Sequence, residues 1–493
     1  MHPMRHAARL AAVVATAAAA LLAGCTVGPD YVKPQVSTPP GWRIDYPQAA
    51  DIANPRWWDQ FGDPVLTGLI EEALRANRDV EIAAARVDAF IGQLDVTRSQ
   101  FYPQANYSFD ASRNRASRVG VSPLPSDASA YYTLYQGALG ASWQLDLFGR
   151  VRRESEAAQA RVYASEQGRR GVVLSVVTSV ATSYIALRAL DRQLEISRQT
   201  AQNYLATLRI FEARKKGGVV SKLELSQVAS QYQQAQAAIP ALEQQIAAQE
   251  NLIAVLLGRD SYAVPRGKTL AELAAPGVPA GLPASLLERR PDILAAEQVL
   301  IATNADIGAA KALYFPQFSL TASLGSISAA FGNFLTGPAS TWALLAGFTG
   351  PIFNAGAIAG QVRSAEAGQR EALATYQKTI LTAFQETNDA LVGTLKKREE
   401  AAAQVARVES LREYARLSRL KFNNGYASYL EVLYAENELF GAELAAVSSD
   451  AGRYTQLVAV YKAMGGGWID TADAMTPPPA VPLQKRIADQ PLF

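Results

Sequence analysis

The stretch KKGGVVSKLEL, Lys215–Leu225, is nearly repeated later in the chain as FNNGYASYLEV, Phe422–Val432. Each copy holds a Gly, a Ser three residues later, and then a Leu-Glu pair, and the two copies are 207 residues apart. A second pair, SQFYPQ ending at Gln104 and ALYFPQ ending at Gln317, is 213 residues apart. Landmarks that recur in one order at nearly one offset indicate a tandem duplication.

The duplication predicts a division of the 493 residues into six segments. These are a lipoprotein signal peptide (1–24), a lipidated, extended N-terminal segment (25–56), a first repeat (57–258), a Pro/Gly/Ala-rich linker (259–281), a second repeat (282–465) and a flexible C-terminal tail (466–493).

The N-terminus predicts export and lipid attachment. A basic start precedes the apolar stretch LAAVVATAAAALLAG, which is shorter than the roughly 20 apolar residues that span a bilayer. The stretch ends in Leu-Ala-Gly-Cys, which resembles the bacterial lipobox, and Cys25 is the only cysteine, so it has no intramolecular disulfide partner. We expect Cys25 to carry a diacylglycerol and an N-acyl chain and expect no other cofactor. An ordinary signal peptide with a chance Cys is the alternative.

Charge and composition argue against several function classes. The chain has 47 Lys and Arg and 45 Asp and Glu, and removing the signal removes Arg5 and Arg9, so the mature chain is neutral. A neutral chain is a poor candidate for binding nucleic acid. The only histidines, His2 and His6, also lie in the signal. Without imidazole or a free thiol, we expect neither an enzyme nor a metal site, although carboxylate-only or Ser-Lys chemistry stays open.

Each repeat shows the same order of predicted elements. Alternating apolar and polar residues predict strands at about 104–116 and 131–147, and again at about 316–328 and 341–352. Six aromatic residues lie on the apolar faces and are predicted to face lipid: Tyr131, Tyr135, Trp143, Phe318, Trp342 and Phe348. Soluble hairpins packed on helices are the alternative.

Helix lengths predict tall helical columns. A run without proline from Arg150 to Lys215 predicts a helix about 99 Å long. Predicted helices over Pro64–Phe101 and Val219–Leu257 together match that length, so each repeat would form two columns. Four strands of about ten residues suit a membrane but cannot close a barrel, so oligomerisation is required, and a trimer would supply twelve strands.

Four motifs carry a family resemblance: CTVGPDYVKP after the lipobox, WWDQFGDPVLTGLIEEAL, the paired YPQ and FPQ, and RRPDILAAEQVL. With them the chain resembles the outer-membrane factor (TolC-like) family, in the lipoprotein branch (NodT-type) that serves resistance-nodulation-division efflux systems. The resemblance implies a mixed α and β membrane protein in the cell outer membrane. It would be a homotrimer whose 12-stranded β-barrel, four strands per chain, continues into a long periplasmic α-helical barrel.

The resemblance also implies partners and a function. The trimer would contact outer-membrane lipid, a periplasmic adaptor (membrane fusion) protein and an inner-membrane resistance-nodulation-division pump. It would passively conduct small molecules, such as drugs and toxic compounds, to the exterior. A duct for type I protein secretion and a lipid-anchored periplasmic coiled-coil scaffold are the alternatives.

The opening stretches acquire a role from the same resemblance, which places both Gly turns at the periplasmic tip that docks the adaptor. The predicted docking residues are Gly217, Gly218, Ser221, Glu224, Gly425, Ser428 and Glu431. The spacing of each Ser and Glu also predicts a capping box, and two capped helix starts would explain the pattern without docking.

Two positions depart from the family pattern at the tip. Family members commonly carry rings of Asp that narrow the tunnel, but here Tyr434 and Ala427 occupy those positions. The candidate constriction is therefore Tyr434, with Glu431 and Glu436 nearby.

Overall fold

A computed structural model describes residues 26–36, 42, 56–119, 125, 127–278, 286–465 and 468–479. The predicted signal peptide and the lipid attachment at Cys25 lie outside these residues.

The strands form one antiparallel sheet in the order β1-β2-β3-β4. The strands are β1 Gln104–Arg115, β2 Tyr131–Leu145, β3 Gln317–Ser328 and β4 Ser340–Thr349. They begin and end within a few residues of the predicted bounds. Because β1 and β4 are the ends of this order, each has one edge with no partner strand among the described residues.

Helices make up most of the remaining structure. They are α1 Pro64–Ala76, α2 Arg78–Ser99, α3 Arg150–Lys216, α4 Lys222–Leu256, α5 Leu286–Arg289, α6 Pro291–Ala312, α7 Ala357–Asn423, α8 Tyr429–Ala463 and α9 Trp468–Asp473. The two longest, α3 and α7, have 67 residues each, so the duplication extends to helix length.

The described residues fall into two compact units. One holds the sheet and is drawn from Ala89–Ala164, Ala296–Tyr376 and the N-terminal residues up to Pro34. The other is helical and buries an aromatic cluster in which Trp57 stacks on Tyr461 with ring centroids 5.0 Å apart. Trp58 meets Trp468 edge to face at 5.7 Å in the same cluster. The WWDQF motif is therefore part of this core.

The predicted continuous helix over Pro64–Phe101 is wrong, because the chain breaks at Asn77 between α1 and α2. Asn77 is extended, and its side-chain oxygen accepts hydrogen bonds from Asp79 N at 2.8 Å and Val80 N at 3.1 Å. An Asn side chain that caps the next helix competes with continuation of the preceding one.

The predicted flexible tail over 466–493 is wrong at its start, because Trp468–Asp473 forms α9 with Trp468 fully buried. The buried Arg169 side chain pairs with Asp473 at 2.6 Å and donates to Thr476 Oγ at 3.1 Å. The linker is also packed, since Leu273 is buried and its carbonyl accepts a hydrogen bond from Tyr454 at 2.7 Å.

Candidate functional site

The sheet places all six predicted lipid-facing aromatics on one face. Strand residues alternate between faces, and paired residues share a face. Tyr131 and Arg115 pair, Leu324 pairs with both Leu139 and Trp342, and Phe318 pairs with Phe348. Adding these registers puts the following residues on a common face: Tyr107, Phe109, Tyr131, Tyr135, Leu139, Trp143, Phe318, Leu320, Leu324, Trp342, Leu344 and Phe348.

This apolar face is open to the surroundings of the chain. Trp342 is 80% exposed and Phe348 is 72% exposed, whereas Trp143 is half-buried and donates from Nε1 to Phe101 O at 2.9 Å. A continuous exposed apolar face is a feature of membrane or protein contact, not of a free soluble surface.

Most residues of the opposite face are polar or small, and Tyr132, Leu134, Ile327 and Leu345 are its large apolar members. Its members include Asn106, Ser108, Ser112, Ser142, Gln144, Ser319, Thr321 and Ser323. Gln144 and Gln317 join β2 to β3 on this face with a 2.9 Å hydrogen bond between their side chains. The arrangement suits a sheet that meets lipid on one side and water on the other.

The N-terminal residues that follow Cys25 dock as a strap, defined here as Thr26–Pro34. Val27 N donates to Phe148 O at 3.3 Å, and Arg153 donates to Asp30 at 2.6 Å. Gly28 adopts φ +106°, and a Cβ there would lie 2.3 Å from Gly308 Cα. Close backbone approach therefore requires glycine at this position.

The distal end of the strap is held by Glu297 of α6. Lys33 Nζ lies 2.9 Å and Tyr31 OH lies 3.2 Å from this carboxylate. Burial, together with the nearby Glu297 charge, raises the pKa of Tyr31 above its ordinary value. Sequence analysis identified this stretch only as a family motif and missed the partners Arg153, Gly308 and Glu297.

Both Gly turns end their helices with the same geometry. Gly218 has φ +75° and Gly425 has φ +77°. The next residue donates back across the turn in each case, from Val219 N to Arg214 O and from Tyr426 N to Lys421 O, both at 2.9 Å. This is the Schellman motif, in which glycine takes a left-handed conformation that other residues adopt only with strain.

The predicted capping box forms in only one of the two turns. Glu224 N donates to Ser221 Oγ at 3.1 Å, and Ser221 N donates to Glu224 Oε2 at 2.7 Å. These hydrogen bonds lower the pKa of Glu224. The capping box predicted for Ser428 and Glu431 is wrong, since the Ser428 side chain accepts no capping hydrogen bond.

A buried cluster joins the two tip hairpins, and the sequence analysis did not single it out. The Phe211 ring lies 4.3 Å from Tyr429, and Phe422 lies 5.0 Å from Tyr429. Val228, Val432 and Leu433 complete the cluster. Heptad-like spacing toward the end of α3 is the signal that could have found Phe211.

The candidate gate residues have different environments. Tyr434 is 60% exposed. Glu436 pairs with Arg419, whose Nε lies 3.1 Å from Oε1, and Glu431 Oε1 lies 3.7 Å from Lys421 Nζ. Both acids therefore form ion pairs within the chain, and Tyr434 is the exposed residue among the three candidates.

Comparisons with known proteins agree with this architecture. A family model described as outer membrane efflux protein matches residues 69–259 and 282–466. The probable efflux pump outer membrane protein TtgC of Pseudomonas putida is 35% identical over 460 residues, which cover 91% of this chain and 94% of TtgC. The probable outer membrane lipoprotein SilC of Salmonella typhimurium is 31% identical over 458 residues, which cover 91% and 97%.

A solved structure has the same fold. The outer-membrane channel OprN superposes with a TM-score of 0.81 at 29% identity, and the match covers 90% of this chain and all of the OprN chain. Because the family model covers both repeats and the relatives match over nearly their whole length, this chain belongs to the outer membrane efflux protein family.

Proposed function

We propose that three copies of this chain form an outer-membrane efflux channel that passively conducts small molecules. The observation that carries this proposal is the sheet, which has one exposed apolar face, one mostly polar face and two edges without a partner strand among the described residues. An open edge in lipid leaves backbone N–H and C=O groups without partners, so the edges must pair with other copies. Two copies would give an eight-stranded barrel, which leaves no channel, and three give twelve strands.

The duplication supports a specific way for the copies to join. Gln104 pairs with Ser142 and Gln317 pairs with Thr349, so β3 repeats β1 at an offset of 213 and β4 repeats β2 at an offset of 207. These are the same offsets that the sequence shows at the YPQ and Gly turns. Each residue pair in the part of β1–β2 that corresponds to the β3–β4 ladder therefore has a counterpart there.

The pairing between β2 and β3 then serves as the template for the pairing between copies. Each β2 residue is replaced by its β4 equivalent, 207 positions later, and each β3 residue by its β1 equivalent, 213 positions earlier. The pair Ser142–Thr321 then becomes Thr349 of one copy opposite Ser108 of the next. The same operation converts Tyr135–Ser328 into Trp342 opposite Arg115. We infer that β4 of one copy pairs with β1 of the next in this register, which also keeps the apolar faces aligned.

The lipid anchor fits the same arrangement. Thr26, which follows Cys25, packs at Gly149, where β2 gives way to α3. Acyl chains on Cys25 would enter the membrane beside the sheet, and several chains suffice for stable anchoring. One relative is itself named a lipoprotein.

The partners in this proposal are a periplasmic membrane fusion protein and an inner-membrane resistance-nodulation-division pump. The names of relatives such as TtgC, an efflux pump outer membrane protein, support this part of the proposal. The two Gly turns, with their docking residues, are the surface we assign to the adaptor. The channel performs no chemistry, and the pump supplies the energy.

Conductance in planar lipid bilayers tests the function. The purified, acylated protein should run as a trimer that survives mild heating and should produce single-channel steps with a linear current–voltage relation. A protein that remains monomeric and passes no current would contradict the proposal.

A further inference from the structure

Two arginines of β1, Arg113 and Arg115, lie on the apolar face of the sheet. They pair with Thr133 and Tyr131, so they share a face with the aromatic residues, and both are exposed. Strand β1 starts a few residues after the end of α2, so the arginines occupy the end of the strand that is distant from the end of α2.

Their depth follows from strand geometry. Tyr107 and Phe109 are exposed on the same face and precede the arginines. From Tyr107 to Arg113 the strand advances about 20 Å, or about 15 Å along the membrane normal for a typical tilt. Because Ala111 is the last apolar residue of β1 on this face, the arginines lie beyond its apolar segment, which in the proposed barrel is the level of lipid headgroups.

The charge of these arginines is not balanced by a carboxylate in the part of the chain that the structure describes. Among the residues that the structure describes, neither guanidinium lies within 4.0 Å of a carboxylate, and Arg115 lies 5.7 Å from the Tyr131 ring centroid. Asp110 is the nearest acid along the strand, but it lies on the opposite face, as all even-numbered residues of β1 do. A cation on a lipid-facing surface calls for an anion from outside the chain.

The second repeat shows that the sheet does not need these charges. The positions equivalent to Arg113 and Arg115 in β3 are Ser326 and Ser328. In the register inferred above, Arg115 faces Trp342 of the partner subunit across the junction between copies. An exposed indole at headgroup level provides an apolar surface next to the cations.

We propose that Arg113 and Arg115 bind phosphate groups of lipopolysaccharide in the outer leaflet, with one site at each junction between copies. The inference rests on the proposed barrel. Guanidinium groups bind phosphate with two parallel hydrogen bonds, and the flanking Tyr131 and Trp342 rings would pack against the sugar and acyl region.

Lipid binding to the purified trimer tests the site. Trimers in lipid nanodiscs that lack lipopolysaccharide are titrated with bisphosphorylated lipid A, dephosphorylated lipid A and inorganic phosphate. We expect the wild type to bind bisphosphorylated lipid A best and the R113Q/R115Q variant to bind it about tenfold more weakly. The K215Q/K216Q variant removes the same charge at the tip and should bind like the wild type.

Three results would overturn the proposal: equal lipid A affinity in R113Q/R115Q, equal affinity of the wild type for dephosphorylated lipid A, or binding of inorganic phosphate as tight as that of lipid A. The last would indicate a site for free phosphate. If R113Q/R115Q does not assemble, two measurements still test the proposal. One compares the affinity of the wild type for the two lipid A forms, and the other measures lipid A binding by the R113K/R115K variant, which should retain it. Loss of wild-type conductance would instead contradict the proposed function.

Discussion

Ser221 and Ser428 occupy equivalent positions after the two Gly turns, yet only Ser221 caps its helix. The two equivalent glutamates also differ in their partners. Glu431 lies 3.5 Å from Ser418 and pairs with Lys421 of α7, whereas the residue equivalent to Ser418 in the first repeat is Phe211, which offers no hydroxyl. The Glu431 side chain thus contacts α7, whereas the Glu224 side chain accepts a hydrogen bond from the Ser221 amide.

The asymmetry predicts different costs for the same substitution. Ser221→Ala should destabilise the start of α4 by about 1 kcal/mol, because the Glu224 amide loses its acceptor. Ser428→Ala is the matched control and should have little effect. Hydrogen exchange of the first-turn amides measures both, and equal acceleration in the two variants would contradict the assignment.

The capping box also predicts a pH dependence. Hydrogen bonds from Ser221 lower the pKa of Glu224 below its ordinary value of 4.5. A lowered pKa in the folded state means that the stabilisation is present above pH 4.5 and is lost as the pH falls through the folded-state pKa. Protection of the Ser221 amide, corrected for intrinsic exchange, should fall in that range, and a Glu224→Gln variant should show no such fall.

Tyr434 carries the prediction for the gate. If its exposed ring narrows the tunnel, Tyr434→Ala should raise single-channel conductance. Tyr426, which is also exposed but lies in the turn itself, provides the control through Tyr426→Ala. Unchanged conductance in Tyr434→Ala would remove this residue from the constriction.

At the scale of elements, the strap shows how a terminal segment can be held by a few close contacts. Gly28→Ala would force a Cβ against Gly308 and impose a strained φ, so the strap should detach. Gly360→Ala is the control, because a Cβ at this helical position meets nothing within 4 Å. Limited chymotrypsin cleavage after Tyr31 should accelerate in Gly28→Ala alone, and equal cleavage in both variants would contradict the docking.

Elements were predictable from the sequence where local patterns determine them. Alternation located the four strands, and glycine located the two turns, because both signals depend on neighbouring residues along the chain. The break at Asn77, the packing of Trp468 and the partners of the strap depend on contacts distant in sequence. Tyr429 was missed for the same reason, since its burial arises only when two hairpins meet, whereas the heptad-like spacing of α3 could have identified Phe211.

For the whole molecule, the family resemblance and the outer-membrane location are confirmed, because the family model and the full-length relatives agree with both repeats. The duplication has a physical consequence at this scale. Because the paired strands of the two hairpins repeat in one register, the proposed trimer uses the same pairing rule within a chain and between chains. Repetition of that rule closes the sheet without leaving an edge.

Disulfide cross-linking tests this closure most directly. In a variant with Cys at positions 108 and 349, made by Ser108→Cys and Thr349→Cys, the paired residues of adjacent copies come within disulfide distance. We predict oxidised dimers and a closed covalent trimer, with nothing larger. The matched pair Ser112→Cys and Thr349→Cys is displaced by four residues and should not cross-link. Cross-linking of the displaced pair, or of neither pair, would contradict the account.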